Sequence, residues 1–366
     1  MMGRDPQVDL ILSLFTPRYI ATGVDWNDLQ RFSQRIERWA DWCRIWCDEG
    51  AAHERLAHEA RERRRSTTAA EAFLRAAIYY HYAKHLFVQD PEQYRHAHER
   101  MLFCYRAAAP ETDPPTERIA VPFEGGVLPG YLRRPLGIER PPLAILLPGL
   151  DAAKEELHAW SDAFVRRRVA TLALDGPGQG ETAFWMPIRA DWGKVIGAVI
   201  DALEEREDVN GNAVGVVGQS LGAFYAAMAA GLEPRVKACI ANCGPFDFSL
   251  ALPGLPAVSQ QTFLVRSGAA NWDEAMERAR QLTLDGVAEH IDCPLLIVFG
   301  AGDRIIPPSE GERLANIAPG PTELVVFEEG NHVCFNITYK FRPLTADWMA
   351  EQLGRPGVAG PRAERS

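Results

Sequence analysis

The sequence predicts an α/β protein in which a doubly wound, mostly parallel sheet follows an all-helical N-terminal domain. Three observations carry this expectation. From about residue 115 onward, short β-branched or apolar runs alternate with helical ones. The runs LAILLPG, AVGVVGQ and PLLIVFG are nearly all apolar, as strands covered by helices on both faces must be. No β-type run interrupts the first third of the chain.

Within that first third, Phe32, Ile36, Trp39, Cys43 and Trp46 recur at alternating steps of four and three, which predicts one face of a single helix. A second helix is expected from about Thr67, where a Thr-Thr pair offers a cap, and a third from about Pro91 to Ala109. The Pro-rich acidic stretch PETDPPTE then reads as a linker. The boundaries are residues 1–114 for the helical domain and 115–356 for the α/β domain.

Beyond the linker, strands are expected in RIAVPF, VLPGYLRR, LAILLPG, VATLALD, AVGVVGQ, VKACIANC, PLLIVFG and TELVVFEE. Helices are expected to begin near Lys154, Ala190, Leu221, Pro308 and Leu344. Residues 245–290 are too long for a simple connection and read as an inserted lid. Residues 357–366, rich in Gly, Pro and charge, read as a disordered tail.

Composition narrows the function classes. With 39 Lys plus Arg against 49 Asp plus Glu, the 366 residues carry a net charge of −10. That argues against non-specific binding to nucleic acid or to an anionic membrane. No run of ~18 apolar residues marks a membrane helix. The start MMGRDPQVDL lacks the small-residue cleavage site of a signal peptide, so a cytoplasmic protein is expected. The seven cysteines contain no CxxC pair and read as buried free thiols.

The chemistry is concentrated after the strand AVGVVG, in Gly218-Gln219-Ser220-Leu221-Gly222, with the helix-forming AFYAAMAAG behind it. G-x-S-x-G between a strand and a helix forces a tight turn that exposes the serine hydroxyl, and its glycines let neighbouring backbone approach. A chance Gly-rich turn is the competing reading, and the strand–helix context argues against it.

Serine needs a base, and the base an orienting acid. Asp303 ends LLIVFGAGD and His332 follows LVVFEEGNH, giving the chain order Ser, Asp, His. Of nine histidines only His290 and His332 follow Ser220, and His290 precedes Asp303. Asp292 and Asp247 are the rivals of Asp303. The oxyanion donors would be the amide of Leu221 and, from the loop Pro148-Gly149-Leu150-Asp151, that of Leu150, with Asp151 as its rival.

Other patterns resolve toward structure. Asp175-Gly-Pro-Gly-Gln-Gly-Glu181 lacks both the third glycine of G-x-G-x-x-G and a P-loop lysine, so it reads as a tight turn near the site. His81 and His85 have no intervening Glu and are not a zincin motif. In AIYYHYAKHLF, Tyr79, Tyr80 or His81 are candidates to lie over the site, against a reading as helix-core aromatics.

LLPGLDAAKEE, LALDGPGQGE, GQSLG, FGAGDRIIP and EEGNHVCFN, behind a helical N-terminal region, resemble the 2,6-dihydroxypseudooxynicotine hydrolase group of α/β-hydrolases. The resemblance covers nearly the whole chain and is strongest from about 115 to 350. It implies an α/β-hydrolase fold with an N-terminal helical cap, Ser220 as nucleophile, Asp303 as acid, His332 as base, and a homodimer. It also implies hydrolysis of carbon–carbon bonds beside ketones, with related proteins acting on polyketide chains.

The function expected is therefore a serine hydrolase, without cofactor or metal, that cleaves a C–C bond next to a ketone in a small-molecule substrate. A carboxylesterase or thioesterase acting on a small ester is the alternative. A binding protein with idle machinery is a third reading, since a fold alone does not establish catalysis. An extra carboxylate assisting C–C cleavage would be sought after Cys243, where only Asp247 precedes a long apolar stretch.

Overall fold

A computed structural model describes residues 4–354 of the chain; the expected tail at 357–366 lies outside them. The helical part comprises α1 (Pro6–Thr22), α2 (Trp26–Ser33), α3 (Trp42–Glu62), α4 (Ser66–Ala83) and α5 (Pro91–Ala108). Local signals set several of their starts. Asp5 caps α1 by accepting from the Gln7 amide and Pro6 occupies the first turn, where its missing N–H costs nothing; Asp90 and Pro91 repeat this at α5.

The single helix expected across Phe32 to Trp46 is interrupted. Phe32 ends in α2, Trp39 sits on a short 3-10 turn, and Cys43 and Trp46 belong to α3. All five residues are nonetheless buried. The break is where the chain's start docks: the Asp5 amide donates to the Glu37 carbonyl (2.9 Å), and the Trp39 amide to the Asp5 carboxylate (3.0 Å). Tertiary hydrogen bonds thus override a pattern that is periodic across the break.

The remainder runs β1 (Thr116–Phe123), β2 (Gly126–Arg133), β3 (Leu143–Leu147), α6 (His158–Val165), β4 (Ala170–Leu174), α7 (Trp192–Glu204), β5 (Val214–Gln219), α8 (Leu221–Leu232) and β6 (Val236–Asn242). It continues through α9 (Phe248–Ala251), α10 (Ala257–Arg266), α11 (Trp272–Arg280), β7 (Leu295–Gly300), α12 (Ser309–Ile317), β8 (Thr322–Phe327) and α13 (Thr338–Gln352). All eight expected strands form, in one sheet of order β1-β2-β4-β3-β5-β6-β7-β8. β1–β2 and β2–β4 pair antiparallel, and the other neighbours pair parallel.

The apolar strands follow from two-sided burial. In β3, Leu143, Ile145 and Leu147 pack with Val195 and Val199 of α7 and Phe224 of α8. The intervening Ala144 and Leu146 face the opposite core, with Phe164 of α6 and Phe341 and Met349 of α13. Every second residue alone would satisfy a sheet covered on one side; both sets are apolar because both faces are covered.

α13 begins at Thr338 rather than near Leu344, with Pro343 inside it. Residues 245–290 are largely helical, holding α9, α10 and α11, and Val258 of α10 is buried in the core of the N-terminal helices. All seven cysteines are free, five of them buried. Among the described residues, no helix is long and apolar enough to cross a membrane.

Candidate active site

The end of β5 turns into α8 at Ser220, whose backbone takes φ 54° and ψ −128°. Residues other than glycine rarely adopt such a conformation, which costs about 1–3 kcal/mol. Hydrogen bonds hold it: the Ser220 amide donates to the Asn242 carbonyl (2.8 Å), and the Ser220 carbonyl accepts from Ala223 (2.8 Å).

The flanking glycines are steric necessities. A Cβ at Gly218 would lie 1.9 Å from the Gly222 carbonyl oxygen, and one at Gly222 would lie 2.3 Å from that of Leu147. The pentapeptide works because strand, turn and helix backbones pass too close for any side chain.

His332 Nε2 lies 2.9 Å from Ser220 Oγ, and His332 Nδ1 lies 2.7 Å from Asp303 Oδ2. The loop after β7 supplies Asp303, and the loop after β8 supplies His332. The two loops can share one corner because Gly300 and Gly330 pack backbone to backbone, where a Cβ on Gly300 would stand 2.3 Å from Gly330. Asp303 Oδ1 accepts from the Ile305 (2.8 Å) and Ile306 (2.9 Å) amides. Burial pushes the Asp303 carboxyl up, but the facing imidazole and these amides outweigh it and hold the group below its ordinary range.

The Asp303 side chain is fully buried and that of His332 is 14% exposed, so the imidazole presents only its outer edge to the cavity. Among the described residues, one group of three side chains places potential metal-ligand atoms within 4.8 Å of one another: Cys243, Asp303 and His332. Here His332 Nδ1 is engaged by Asp303, and burial raises the Cys243 thiol well above its usual range and keeps it protonated. The group is thus a hydrogen-bonded carboxylate–imidazole pair with a packed thiol behind it.

Leu221 follows Ser220 at the start of α8, and the Pro148–Asp151 loop lies directly across. A Cβ on Gly149 would touch the Ser220 Cβ at 3.2 Å. Among the described residues neither the Leu150 nor the Asp151 amide donates to a backbone acceptor. The Asp175–Glu181 turn is beside the site, as expected, and its Gln179 side-chain amide donates to the Pro148 carbonyl. Leu150, Leu221, Ser220 and His332 all line one cavity, walled by Phe15, Phe248, Leu255, Ile306 and Phe335.

Tyr79, Tyr80 and His81 do not reach this cavity. The Tyr79 hydroxyl donates to Asp28 (2.8 Å), the Tyr80 hydroxyl donates to Glu54 (2.9 Å), and His81 Nε2 bonds Glu156 (2.8 Å). α4 is buried nearly all round over its second half, so these side chains find partners among neighbouring helices. Nor do the rivals of Asp303 approach His332: Asp247 caps α9 through Ser249, and Asp292 is exposed.

Among the cavity residues that the sequence reading missed are Phe15 and Arg18 of α1. A signal for α1 existed in Asp5-Pro6 followed by Val8, Ile11, Phe15 and Tyr19 at helical spacing. Nothing in the spacing showed that this helix meets the sheet's carboxyl edge.

Arg18 is the centre of a buried network. Its Nε and Nη2 donate to Glu156 (2.7 and 2.6 Å), and Nη1 pairs with Asp151 (2.8 Å), whose other oxygen lies 3.2 Å from His85. Burial would raise both carboxyls, yet Arg18 holds Asp151 and Glu156 well below the carboxylate range. Burial pushes His81 down to about 4, and does the same to His158.

The pH consequence has a definite sign. These two histidines stay neutral when folded but accept protons when unfolded, where the ordinary value is 6.5. Their contribution to stability is intact above about 6.5 and is lost as pH falls from there toward 4. The urea midpoint is therefore expected to fall markedly between pH 7 and pH 5; a flat profile would show that these imidazoles are accessible in the folded state.

An eight-stranded, mostly parallel sheet with a serine at a strained strand–helix turn, facing a histidine and an aspartate on later loops, defines an α/β-hydrolase. Two family models match the chain: esterase FrsA-like over residues 35–252, and the prolyl oligopeptidase family over residues 163–355. It is 31% identical over 346 residues to 2,6-dihydropseudooxynicotine hydrolase of Paenarthrobacter nicotinovorans, spanning 94% of this chain and 92% of that one.

Among solved structures, that of 2,6-dihydroxy-pseudo-oxynicotine hydrolase superposes with a TM-score of 0.84 at 30% identity, covering 92% of this chain and 95% of that one. AbyA5 shares the fold at a TM-score of 0.75 and 19% identity, covering 95% and 94%. The chain belongs to the α/β-hydrolase family that contains 2,6-dihydropseudooxynicotine hydrolase and the FrsA-like esterases, and it is a hydrolase.

Proposed function

We propose that the protein hydrolyses a C–C bond beside a ketone, in a β-diketone or polyketide-like substrate, using Ser220 as nucleophile. The observation that carries the chemistry is the continuous hydrogen-bonded line from Ser220 Oγ through both nitrogens of His332 to Asp303. His332 Nε2 takes the hydroxyl proton as Oγ adds to the carbonyl carbon, while Asp303 fixes the tautomer and steadies the imidazolium. The Leu221 amide and one from the facing loop, that of Leu150 or its rival Asp151, hold the oxyanion, each such donor being worth roughly 2.7–4 kcal/mol.

The C–C bond then breaks with its electron pair moving to the departing carbon, stabilised as an enolate, and His332 returns the proton. Water, deprotonated by His332, releases the acid from Ser220. Similarity over nearly the whole chain to a hydrolase of an oxynicotine compound supports a ketone substrate.

One observation favours the carboxylesterase reading. Asp247, the carboxylate that follows β6, accepts from the Ser249 amide (2.9 Å) and hydroxyl (2.6 Å) as the cap of α9, rather than facing the cavity. An alkoxide is also easier to protonate than carbon.

Product analysis by mass spectrometry separates the two. Given matched aryl 1,3-diketones and aryl esters, the enzyme is expected to release acid plus ketone from the diketones, and Ser220→Ala to release neither. Cleavage confined to the esters would replace the C–C assignment by a carboxylesterase.

A further inference from the structure

Arg266 ends α10, outside the strands and loops that carry Ser220, Asp303 and His332. It is 5% exposed, and among the described residues no carboxylate lies within ion-pair distance of it. Its Nη1 donates to the Leu150 carbonyl and, at 3.4 Å, to that of Gly178. Its Nη2 donates to the Tyr94 hydroxyl of α5 (3.1 Å), and its Nε has no acceptor.

A buried guanidinium held by neutral oxygens alone is an expensive arrangement. Arg18, the buried arginine that lines the cavity, is by contrast neutralised by two carboxylates. Arg266 instead places its charge directly behind the loop that faces Ser220.

Peptide planarity makes the contact directional. In a trans peptide the C=O of one residue and the N–H of the next point opposite ways. Gln179 Nε2 reaches the Gly149 carbonyl (3.4 Å), which turns the Leu150 N–H away from Gln179. Arg266 on the Leu150 carbonyl turns the Asp151 N–H away from itself and polarises that peptide. Both candidate oxyanion amides are thus set by clamps on the carbonyls behind them, one from the core and one from α10.

We propose that Arg266 is a positioning residue for hydrolysis: it fixes the Pro148–Asp151 loop, and its unneutralised charge strengthens the loop's hold on the oxyanion. This inference rests on the Ser220 acyl-transfer reading above. It makes the oxyanion site depend on α10 being seated, with Tyr94 tying the same guanidinium to the N-terminal helices.

The test uses R266M, which removes charge and fork, and R266K, which keeps the charge but loses the planar fork that holds the Leu150 carbonyl and the Tyr94 phenol in fixed directions. The substrate-independent readout is the rate at which a fluorophosphonate labels Ser220, because its phosphoryl oxygen must enter the same site. R266M is expected to label about 100-fold more slowly, and R266K about 10-fold more slowly.

For an ester or ketone that wild type turns over, kcat should fall by similar factors with KM within about threefold. Affinity for a trifluoromethyl ketone should fall in step with kcat. Labelling and kcat unchanged in both variants, or KM rising in place of a loss in kcat, would leave Arg266 a packing residue and overturn the proposal. If R266M does not accumulate as folded protein, R266K decides by the same criteria. Wild type that fails to label at Ser220 would instead overturn the acyl-transfer reading itself.

Discussion

Replacing Ser220 by alanine is expected to lower turnover by about 10⁵–10⁶-fold while leaving the fold in place. The substitution keeps the Cβ, so the strained φ of 54° and the close packing of Gly149 against it are unchanged. What disappears is the oxygen 2.9 Å from His332. His332→Ala should cost nearly as much, and the double variant little more, because the residues act as one unit. Asp303→Asn should cost about 10⁴-fold, since an amide facing Nδ1 no longer enforces the tautomer that leaves Nε2 free to accept. A fluorophosphonate should label wild type and spare Ser220→Ala. Retention of even one part in a hundred of wild-type turnover by purified Ser220→Ala would remove Ser220 from the role of nucleophile.

The second large effect is on stability. Arg18→Met is expected to destabilise the protein by about 3–5 kcal/mol, the usual cost of stranding buried charges by removing their partner. The methionine can occupy much of the aliphatic space, so the loss is electrostatic: Glu156, with a side chain 1% exposed, and Asp151, at 14%, lose the guanidinium between them. Adding Glu156→Gln and Asp151→Asn to Arg18→Met should recover a large part of the loss, because neutral amides cost less to bury than unpaired carboxylates. Urea denaturation of the single and triple variants is the measurement. Equal stability of wild type and Arg18→Met would mean that water already reaches the network. Since Asp151 adjoins Leu150, turnover by the folded fraction of Arg18→Met should fall as well.

Much of this protein is legible along the chain. The strands declared themselves because two-sided burial makes them continuously apolar, and Ser220, Asp303 and His332 because the strand–turn–helix context and the chain order restrict the choice. Gly218 belongs to the same category: a Cβ there would lie 1.9 Å from the Gly222 carbonyl oxygen, inside the same five-residue turn. These are local constraints, and local constraints leave their mark in neighbouring residues.

What only the tertiary structure decided is which distant side chains converge on the site. α4 carries Tyr79, Tyr80 and His81 in the sequence's most aromatic helical run, yet they bond Asp28, Glu54 and Glu156 away from the cavity. α1, unremarked in sequence, delivers Phe15 and Arg18 to the cavity. Arg266 and Leu150 are 116 positions apart, as are no neighbours on one helix or strand. Helical periodicity identifies a buried face but not what covers it, because the hydrophobic effect rewards burial without direction. The docking of helices on the sheet is chosen by the summed fit of many side chains, and that sum has no signature in any one segment. The sequence by itself therefore determined the fold and which three residues form the hydrogen-bonded line Ser220–His332–Asp303, while tertiary packing decided the cavity wall and which side chains bond the Pro148–Asp151 loop.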